Sequence, residues 1–129
     1  MLRSVRRSLL AASVLVAAPL AMADDAAVAA SLVGTWEGKW SYDTMGGKLQ
    51  VKITAANGAN LKGESIWFAT AVGDFKDTFS KAKVKGNKLE VGEPTMDFEA
   101  TISEDGKSMT GTWTSPMATG GLTLMKLPG

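Results

Sequence analysis

The chain has 129 residues, with 14 Lys and Arg against 13 Asp and Glu, and it contains no His and no Cys. All Arg residues lie within the first seven positions, so the chain from residue 24 onward carries 11 Lys, 13 acidic residues and a formal charge of −2. These absences exclude Ser-His-Asp and Cys-His nucleophiles and remove the usual ligands of zinc, haem and iron–sulfur clusters. The slight acidity argues against nucleic acid. We therefore expect no cofactor and no metal. An enzyme is the third alternative, but it would have to rely on carboxylates, lysine amines or Tyr42, and no pair of these has a spacing that indicates catalysis, so no catalytic residues are assigned.

The first 23 residues have the three-part pattern of a secretory signal peptide. Three Arg residues are followed by the uncharged, mostly apolar run Leu9–Leu20, and Ala21-Met22-Ala23 provides the small-x-small cleavage pattern before Asp24. A membrane anchor is the alternative, but a spanning helix needs about 20 apolar residues and this run is shorter. No later segment comes close, so the mature chain is expected to have no membrane span. The pattern predicts a periplasmic or secreted protein, and the Arg6-Arg7 pair leaves open whether the route is general secretion or twin-arginine export.

The segment after the signal, Asp24–Ser31, is rich in Ala and lacks alternation, so it is interpreted as a flexible lead. Residues 32–129 are interpreted as one domain of short strands separated by turns, with the hairpin signals Asn57-Gly58, Gly86-Asn87 and Asp105-Gly106. Eight strands are predicted at residues 32–42, 49–53, 61–68, 75–85 with an irregularity in its middle, 88–91, 96–102, 109–113 and 122–127. The short links predict an all-β, antiparallel up-and-down barrel, which removes exposed edges. An open sandwich is the alternative.

The start of the first strand carries a family resemblance. Leu32-Val33-Gly34-Thr35-Trp36 resembles the lipocalin and avidin group of small calycin-type barrels, in which a Gly-x-Trp sequence places an indole across the closed end. The resemblance implies a cation near the last strand: lipocalins usually have Arg there, and this chain has Lys126. The segment after Trp36 does not match the biotin-contacting loop of avidins.

One end of the predicted barrel is richer in apolar residues than the other. The links after the first, third, fifth and seventh strands carry Met45, Val72, Pro94, Pro116 and Met117, whereas the alternate links are polar and tight. Exposed apolar loop residues indicate a binding surface more strongly than polar ones do. Aromatic residues also gather at the strand ends beside these links. The candidate ligand-binding residues are therefore Trp40, Tyr42, Trp67, Phe68, Phe75, Met96, Trp113 and Met117.

Core packing is the competing interpretation for the tryptophans, and it is favoured for Trp36 and Trp113 because inward alternation usually fills a small barrel. Trp67 and Phe68 are adjacent, so alternation cannot direct both of them into one interior. The main functional hypothesis is a binding barrel for a small, largely apolar ligand. The alternative is a protein-binding module, such as an inhibitor of a periplasmic enzyme, that docks through the rim or through the Asp24–Ser31 lead.

The clusters of charged residues are interpreted as solvated surface residues. Lys81, Lys83 and Lys85 share one face of the fourth predicted strand, which favours a solvated outer face over an anion-binding one. Acidic residues also lie near the rim, at positions 43, 74 and 77, but no calcium-loop spacing accompanies them, so surface solvation is favoured over a metal.

Overall fold

The computed structural model describes residues 24–128, so the predicted signal peptide lies outside the described residues. This part of the chain folds into one short helix followed by nine strands. The elements are α1 (Asp25–Leu32), β1 (Gly34–Tyr42), β2 (Met45–Asn57), β3 (Asn60–Thr70), β4 (Gly73–Thr78), β5 (Lys81–Lys85), β6 (Lys88–Gly92), β7 (Asp97–Ile102), β8 (Ser108–Thr114) and β9 (Thr119–Lys126). No helix in residues 24–128 is long and apolar enough to cross a membrane.

The strands form one closed antiparallel sheet, which confirms the predicted eight-stranded barrel rather than a sandwich. Neighbouring strands pair in chain order from β5 to β9, β9 pairs with β1, β1 with β2, and β2 with β3. The long strand β3 completes the barrel by pairing with both β4 and β5. These two strands are the halves of the predicted fourth strand, and the predicted irregularity is the break at Phe79 and Ser80. Phe79 N donates to Gly63 O at 2.9 Å and Ser80 N donates to Gly92 O at 2.7 Å, so pairing continues across the break.

Alternation along each strand directs one set of side chains into the barrel. Leu49, Val51 and Ile53 of β2 are buried, and Ala82 and Val84 of β5 are buried between exposed lysines. The lysines of β5 therefore lie on the outer face, as predicted. Each large apolar side chain that becomes fully buried contributes about 1.5–3 kcal/mol, so packing holds together a barrel that has no disulfide.

The segment predicted to be a flexible lead is instead the helix α1, and this prediction is wrong. Asp24 caps the helix, because its Oδ1 accepts a hydrogen bond from Ala27 N at 2.7 Å. Val28, Ala29 and Leu32 are fully buried against the barrel. Ala is the best helix former, so the same composition that lacks strand alternation supports a short helix. Because this segment packs on the barrel, it is not a free segment that could dock into a partner.

Helix α1 fills the closed end of the barrel beside Trp36, the residue that carries the family resemblance. Leu32 O accepts a hydrogen bond from Trp36 Nε1 at 2.9 Å, and Trp36 is fully buried. Lys126 pairs directly opposite Trp36 and donates from Nζ to Ser31 O at 2.7 Å. Lys126 thus binds the carbonyl end of the helix, where a cation is favoured. This end of the barrel is closed, and the links after β1, β3, β6 and β8 lie at the other end.

Candidate functional site

A cavity of about 370 Å³ occupies the open end of the barrel. It is lined by residues from β1, β3 and β8, by the first residue of β2, and by residues of the links after β3, before β7 and after β8. We call it the aromatic cavity, and its lining residues are Trp40, Tyr42, Met45, Trp67, Thr70, Ala71, Met96, Trp113, Met117 and Ala118. None of these residues is charged. The volume is near the lower end of the range for small-molecule sites, which is about 300–1,000 Å³.

Trp113 lies at the centre of the aromatic wall. Its ring centroid is 6.5 Å from that of Trp40, 6.1 Å from that of Trp67 and 6.1 Å from that of Tyr42. The planes of Trp40 and Trp67 make angles of 79° and 73° with the Trp113 plane. Edge-to-face pairs of this kind contribute about 0.5–1.5 kcal/mol beyond their buried area. The rings are therefore set at different angles around one cavity and support each other.

Each of the three indoles is also fixed by its N–H group. Trp40 Nε1 donates to Phe68 O at 2.8 Å, Trp113 Nε1 donates to Ser41 O at 3.1 Å, and Trp67 Nε1 donates to Ser65 Oγ at 2.8 Å. The wall consequently has its ring orientations set before any ligand arrives. It also has no indole N–H left to donate to a ligand.

Two glycines provide the space in which these indoles lie, and sequence reasoning missed both. A Cβ on Gly47 would lie 2.7 Å from Trp40 Nε1, and a Cβ on Gly120 would lie 2.7 Å from two ring carbons of Trp113. Each would also clash with a backbone carbonyl, that of Phe68 for Gly47 and that of Ser41 for Gly120. The adjacent glycines in strands β2 and β9 were the available sequence signal, because Gly inside a strand often marks such a close approach.

A buried acid lies behind the wall and was also missed. Glu93 is only 6% exposed, and its Oε2 accepts a hydrogen bond from Ser65 Oγ at 2.6 Å. Since Ser65 in turn accepts the N–H of Trp67, the chain of hydrogen bonds runs from the indole through the hydroxyl to the carboxyl. Among the described residues, Glu93 Oε1 is the buried side-chain oxygen or nitrogen that has no hydrogen-bond partner.

Burial raises the pKa of Glu93 from 4.5 to about 7, and the negative charges of Asp77 and Asp97 add to the rise, against the lowering effect of the Ser65 hydrogen bond. The sequence signal was present in the parity of β6. Leu89 and Val91 face inward, and Glu93 is the next position of the same parity. An acid on an inner face is unusual enough to mark a candidate functional residue.

An open depression lies outside the aromatic cavity and shares part of its wall. It has a volume of about 640 Å³ and is lined by Phe75, Pro94, Pro116, Met96 and Met117, among others. Val72, at 82% exposed, and Met117, at 92% exposed, form its most accessible apolar surface. The mouth of the cavity is therefore surrounded by apolar loop residues, as the sequence predicted for this end.

The structure brings most of the predicted site residues together. Six of them line the aromatic cavity, and these are Trp40, Tyr42, Trp67, Met96, Trp113 and Met117. Phe75 lies opposite Trp67 in the β3–β4 pairing and lines the outer depression. Phe68 is the exception: it follows the inward Trp67, so its ring lies on the outer surface, 5.4 Å from Lys48 Nζ. Only the backbone carbonyl of Phe68 takes part in the site, where it accepts the hydrogen bond from Trp40 Nε1. That any of these side chains contacts a ligand stays a prediction.

Two of the three acidic residues near the rim hold loops through hydrogen bonds. Asp77 Oδ2 accepts a hydrogen bond from Thr95 Oγ1 at 2.8 Å, and Asp74 Oδ1 accepts one from Ala69 N at 3.0 Å. Asp43 occupies the turn between β1 and β2 with a φ of 54°. Within residues 24–128, no three His, Cys, Asp or Glu side chains are grouped so that they could hold a metal ion.

Comparison with known proteins bears on the fold alone. No protein-family model matches the chain, and no curated protein matches it. Among solved structures, a redesigned β-barrel is similar with a TM-score of 0.64 and 11% identity, over 83% of this chain and all of that one. Rv2717c from M. tuberculosis has a TM-score of 0.48 and 14% identity, over 82% of this chain and 99% of that one. A zebrafish ileal bile acid-binding protein complexed with cholic acid has a TM-score of 0.41 and 19% identity, over 75% of this chain and 99% of that one.

The class that the fold defines is thus a small, closed, eight-stranded antiparallel barrel, with one strand broken in two and a helix across one end.

Proposed function

We propose that this protein is an exported binding barrel that holds a small, largely apolar ligand in the aromatic cavity. The observation that carries the proposal is the contrast between the two ends of the barrel. Trp36, helix α1 and the inward aliphatic residues pack the closed end, whereas the open end keeps a cavity of about 370 Å³ with no charged residue in its lining. An apolar cavity of this size at a barrel mouth is a recurrent type of ligand site.

The fixed orientation of the wall supports binding over simple core filling. Side chains that are already held in place lose little conformational freedom when a ligand arrives, so more of the interaction energy appears as affinity. Met96 and Met117 add flexible, polarisable contacts at the mouth. The proposal is for binding without catalysis, because the chain from residue 24 onward has no His, Cys or Arg.

Export is the cellular part of the proposal. It rests on the charged n-region, the apolar run and the Ala21-Met22-Ala23 pattern of the first 23 residues. Asp24, the first residue after the expected cleavage site, is also the N-cap of α1. Cleavage at this position would therefore leave the complete helix on the mature protein.

Native mass spectrometry of freshly purified protein, with extraction of bound lipids, tests the binding proposal. We expect a co-purified ligand, or a ligand-dependent change in Trp fluorescence across a panel of lipids and small apolar molecules. Trp67→Ala should weaken binding far more than Lys83→Ala, because Trp67 lines the cavity and Lys83 lies on the outer face.

Since removal of the buried Trp67 also costs stability, a blocking variant is the better test. Ala71 is exposed at the mouth, so Ala71→Trp should obstruct the cavity without emptying the core. Ala55→Trp, at an exposed position on β2, is the matched control. We expect Ala71→Trp to lower affinity by about tenfold, or about 1.4 kcal/mol, and the control to leave it unchanged. Equal affinity in the two variants, or no binding across the panel, would contradict the proposal.

A further inference from the structure

We propose that the aromatic cavity selects a cationic ligand, an ammonium group with apolar substituents, over a neutral or anionic ligand of the same size. This inference rests on the proposed function, because it names the ligand class of the same cavity. Three features carry it: the four aromatic side chains of the lining, the lack of a cationic partner for an anion, and the buried acid behind Trp67.

Four aromatic side chains line the cavity, and aromatic linings are typical of sites that recognise ammonium groups. Trp40, Trp67 and Tyr42 surround Trp113 with ring centroids 6.1–6.5 Å from its own. The indole N–H groups of the three tryptophans are bonded to Phe68 O, Ser41 O and Ser65 Oγ, so the carbon atoms of the rings are what remains to contact a ligand. A cation over a Trp or Tyr face is attracted by the negative face of the ring, and aromatic cages use this attraction for quaternary ammonium groups.

The cavity has no cationic partner for an anion. Its lining contains no Lys, and the chain from residue 24 onward contains no Arg or His. Thr70 and Tyr42 supply the hydroxyls of the lining, and Thr70 Oγ1 already donates to Gly73 O. A carboxylate that entered the cavity would lose its hydration without gaining a charged partner, which is costly.

The buried acid adds a negative charge on the far side of the wall when it is ionised. Glu93 bonds through Ser65 to the indole of Trp67, and its Oε1 has no partner. The charged groups near it are also acidic: Asp77 of β4 and Asp97 of β7 both act on Glu93. Lys81 is the nearby cation, and it lies along the outer face of Gly92 rather than inside the barrel. The field behind the wall therefore favours a positive ligand over a negative one.

The same acid makes the preference depend on pH. Burial raises the pKa of Glu93 to about 7, so its charge develops between mildly acidic and mildly alkaline solution. A cation in the cavity gains attraction as Glu93 ionises, whereas a neutral ligand gains none. We therefore expect affinity for an ammonium ligand to rise from pH 5.5 to pH 8 while affinity for an alcohol stays constant.

Three ligands with one alkyl chain test the inference: hexyltrimethylammonium, hexanol and hexanoate, each titrated into the mature protein by calorimetry and by Trp fluorescence. Cation–π attraction of about 2 kcal/mol in a desolvated site corresponds to an affinity for the ammonium about 30-fold above that for hexanol. We expect hexanoate to bind more weakly than hexanol.

Glu93→Gln tests whether the charge of Glu93 contributes to ammonium affinity, because the amide keeps the size of the side chain and an oxygen that can accept the Ser65 hydrogen bond. It should weaken hexyltrimethylammonium several-fold at pH 8, leave hexanol unchanged and abolish the pH dependence. Glu90→Gln on β6, three residues earlier in the chain, is the matched control, since Glu90 faces outward toward Lys83. An unchanged ammonium affinity in Glu93→Gln would overturn the role of the acid.

Hexanol or hexanoate binding as tightly as the ammonium would overturn the selectivity while leaving the binding function intact. If none of the three ligands, and no member of the broader panel, binds, the proposed function fails and the inference falls with it.

Discussion

The free energy of unfolding should depend on pH, because the surroundings of Glu93 raise its pKa. Its folded pKa of about 7 lies above the ordinary 4.5, so the folded state holds a proton that the unfolded state releases between these values. The stabilisation is complete below pH 4.5 and is lost as the pH rises through 7. A shift of one unit corresponds to 1.36 kcal/mol, so the loss between these limits is about 3 kcal/mol at most.

Glu93→Gln isolates this effect because it keeps the shape of the side chain and removes its titration. Urea unfolding followed by Trp fluorescence, at intervals from pH 4.5 to pH 8.5, gives the free energy of unfolding of both proteins. We expect similar stabilities at pH 4.5 and an advantage for the variant that grows to about 1–3 kcal/mol at pH 8.

The perturbed pKa of Asp105 is common to both proteins and shifts in the opposite direction. Hydrogen bonds from Ser103 and from the Lys107 backbone hold the pKa of Asp105 below 3.8. Its contribution is present above that value and is lost only in more acidic solution. A difference between wild type and Glu93→Gln that stays constant from pH 4.5 to pH 8.5 would refute the assignment of a raised pKa to Glu93.

Three further substitutions test the packing. Gly120→Ala places a Cβ 2.0 Å from Ser41 O and against the Trp113 ring, so it should cost about 1–3 kcal/mol in thermal unfolding. Gly121→Ala places a Cβ 3.2 Å from the Ser41 hydroxyl and 3.8 Å from Gly111 O, so it should cost much less. Leu32→Ala should cost about 2–5 kcal/mol, since Leu32 is fully buried, and a negligible loss would contradict the packing of α1 on the barrel. Asp24→Ala should cost about 1 kcal/mol in chemical denaturation, and Asp24→Asn should retain most of the cap.

The barrel could be predicted from the sequence because its determinants are local. Alternation in β1 and β2 marks the inward faces, and Asn57-Gly58 with a φ of 62° at Gly58 forms the expected hairpin turn. The apolar links also identified the open end, because neighbouring strands in an antiparallel meander place alternate links at the same end.

The errors arose where contacts between distant segments decide the outcome. The helix α1 depends on burying Val28 and Leu32 against strands that follow it, and a segment of eight residues gives little periodic signal of its own. The sequence could not show which of the adjacent residues Trp67 and Phe68 faces the barrel interior. The pairing register of β3 with β2 determines this.

Glu93 and Gly120 were missed for a related reason. The sequence places each residue on a strand or at its end. The role of Glu93, however, depends on its hydrogen-bonded chain with Ser65 and Trp67, which lie on another strand. The role of Gly120 depends on the Trp113 indole of β8, which packs against it. A single sequence shows the parity of such positions and not the partner across the barrel.

The indole N–H resonances of the four tryptophans provide the most direct test of ligand binding at the open end. A ¹⁵N-labelled sample gives one indole signal per Trp, and three of these residues line the aromatic cavity while Trp36 lies buried at the closed end. On titration with hexyltrimethylammonium, we expect the signals of Trp40, Trp67 and Trp113 to shift with one saturating binding curve and that of Trp36 to stay in place. Saturating shifts that include Trp36 equally, or no shifts for any ligand in the panel, would contradict binding in the aromatic cavity.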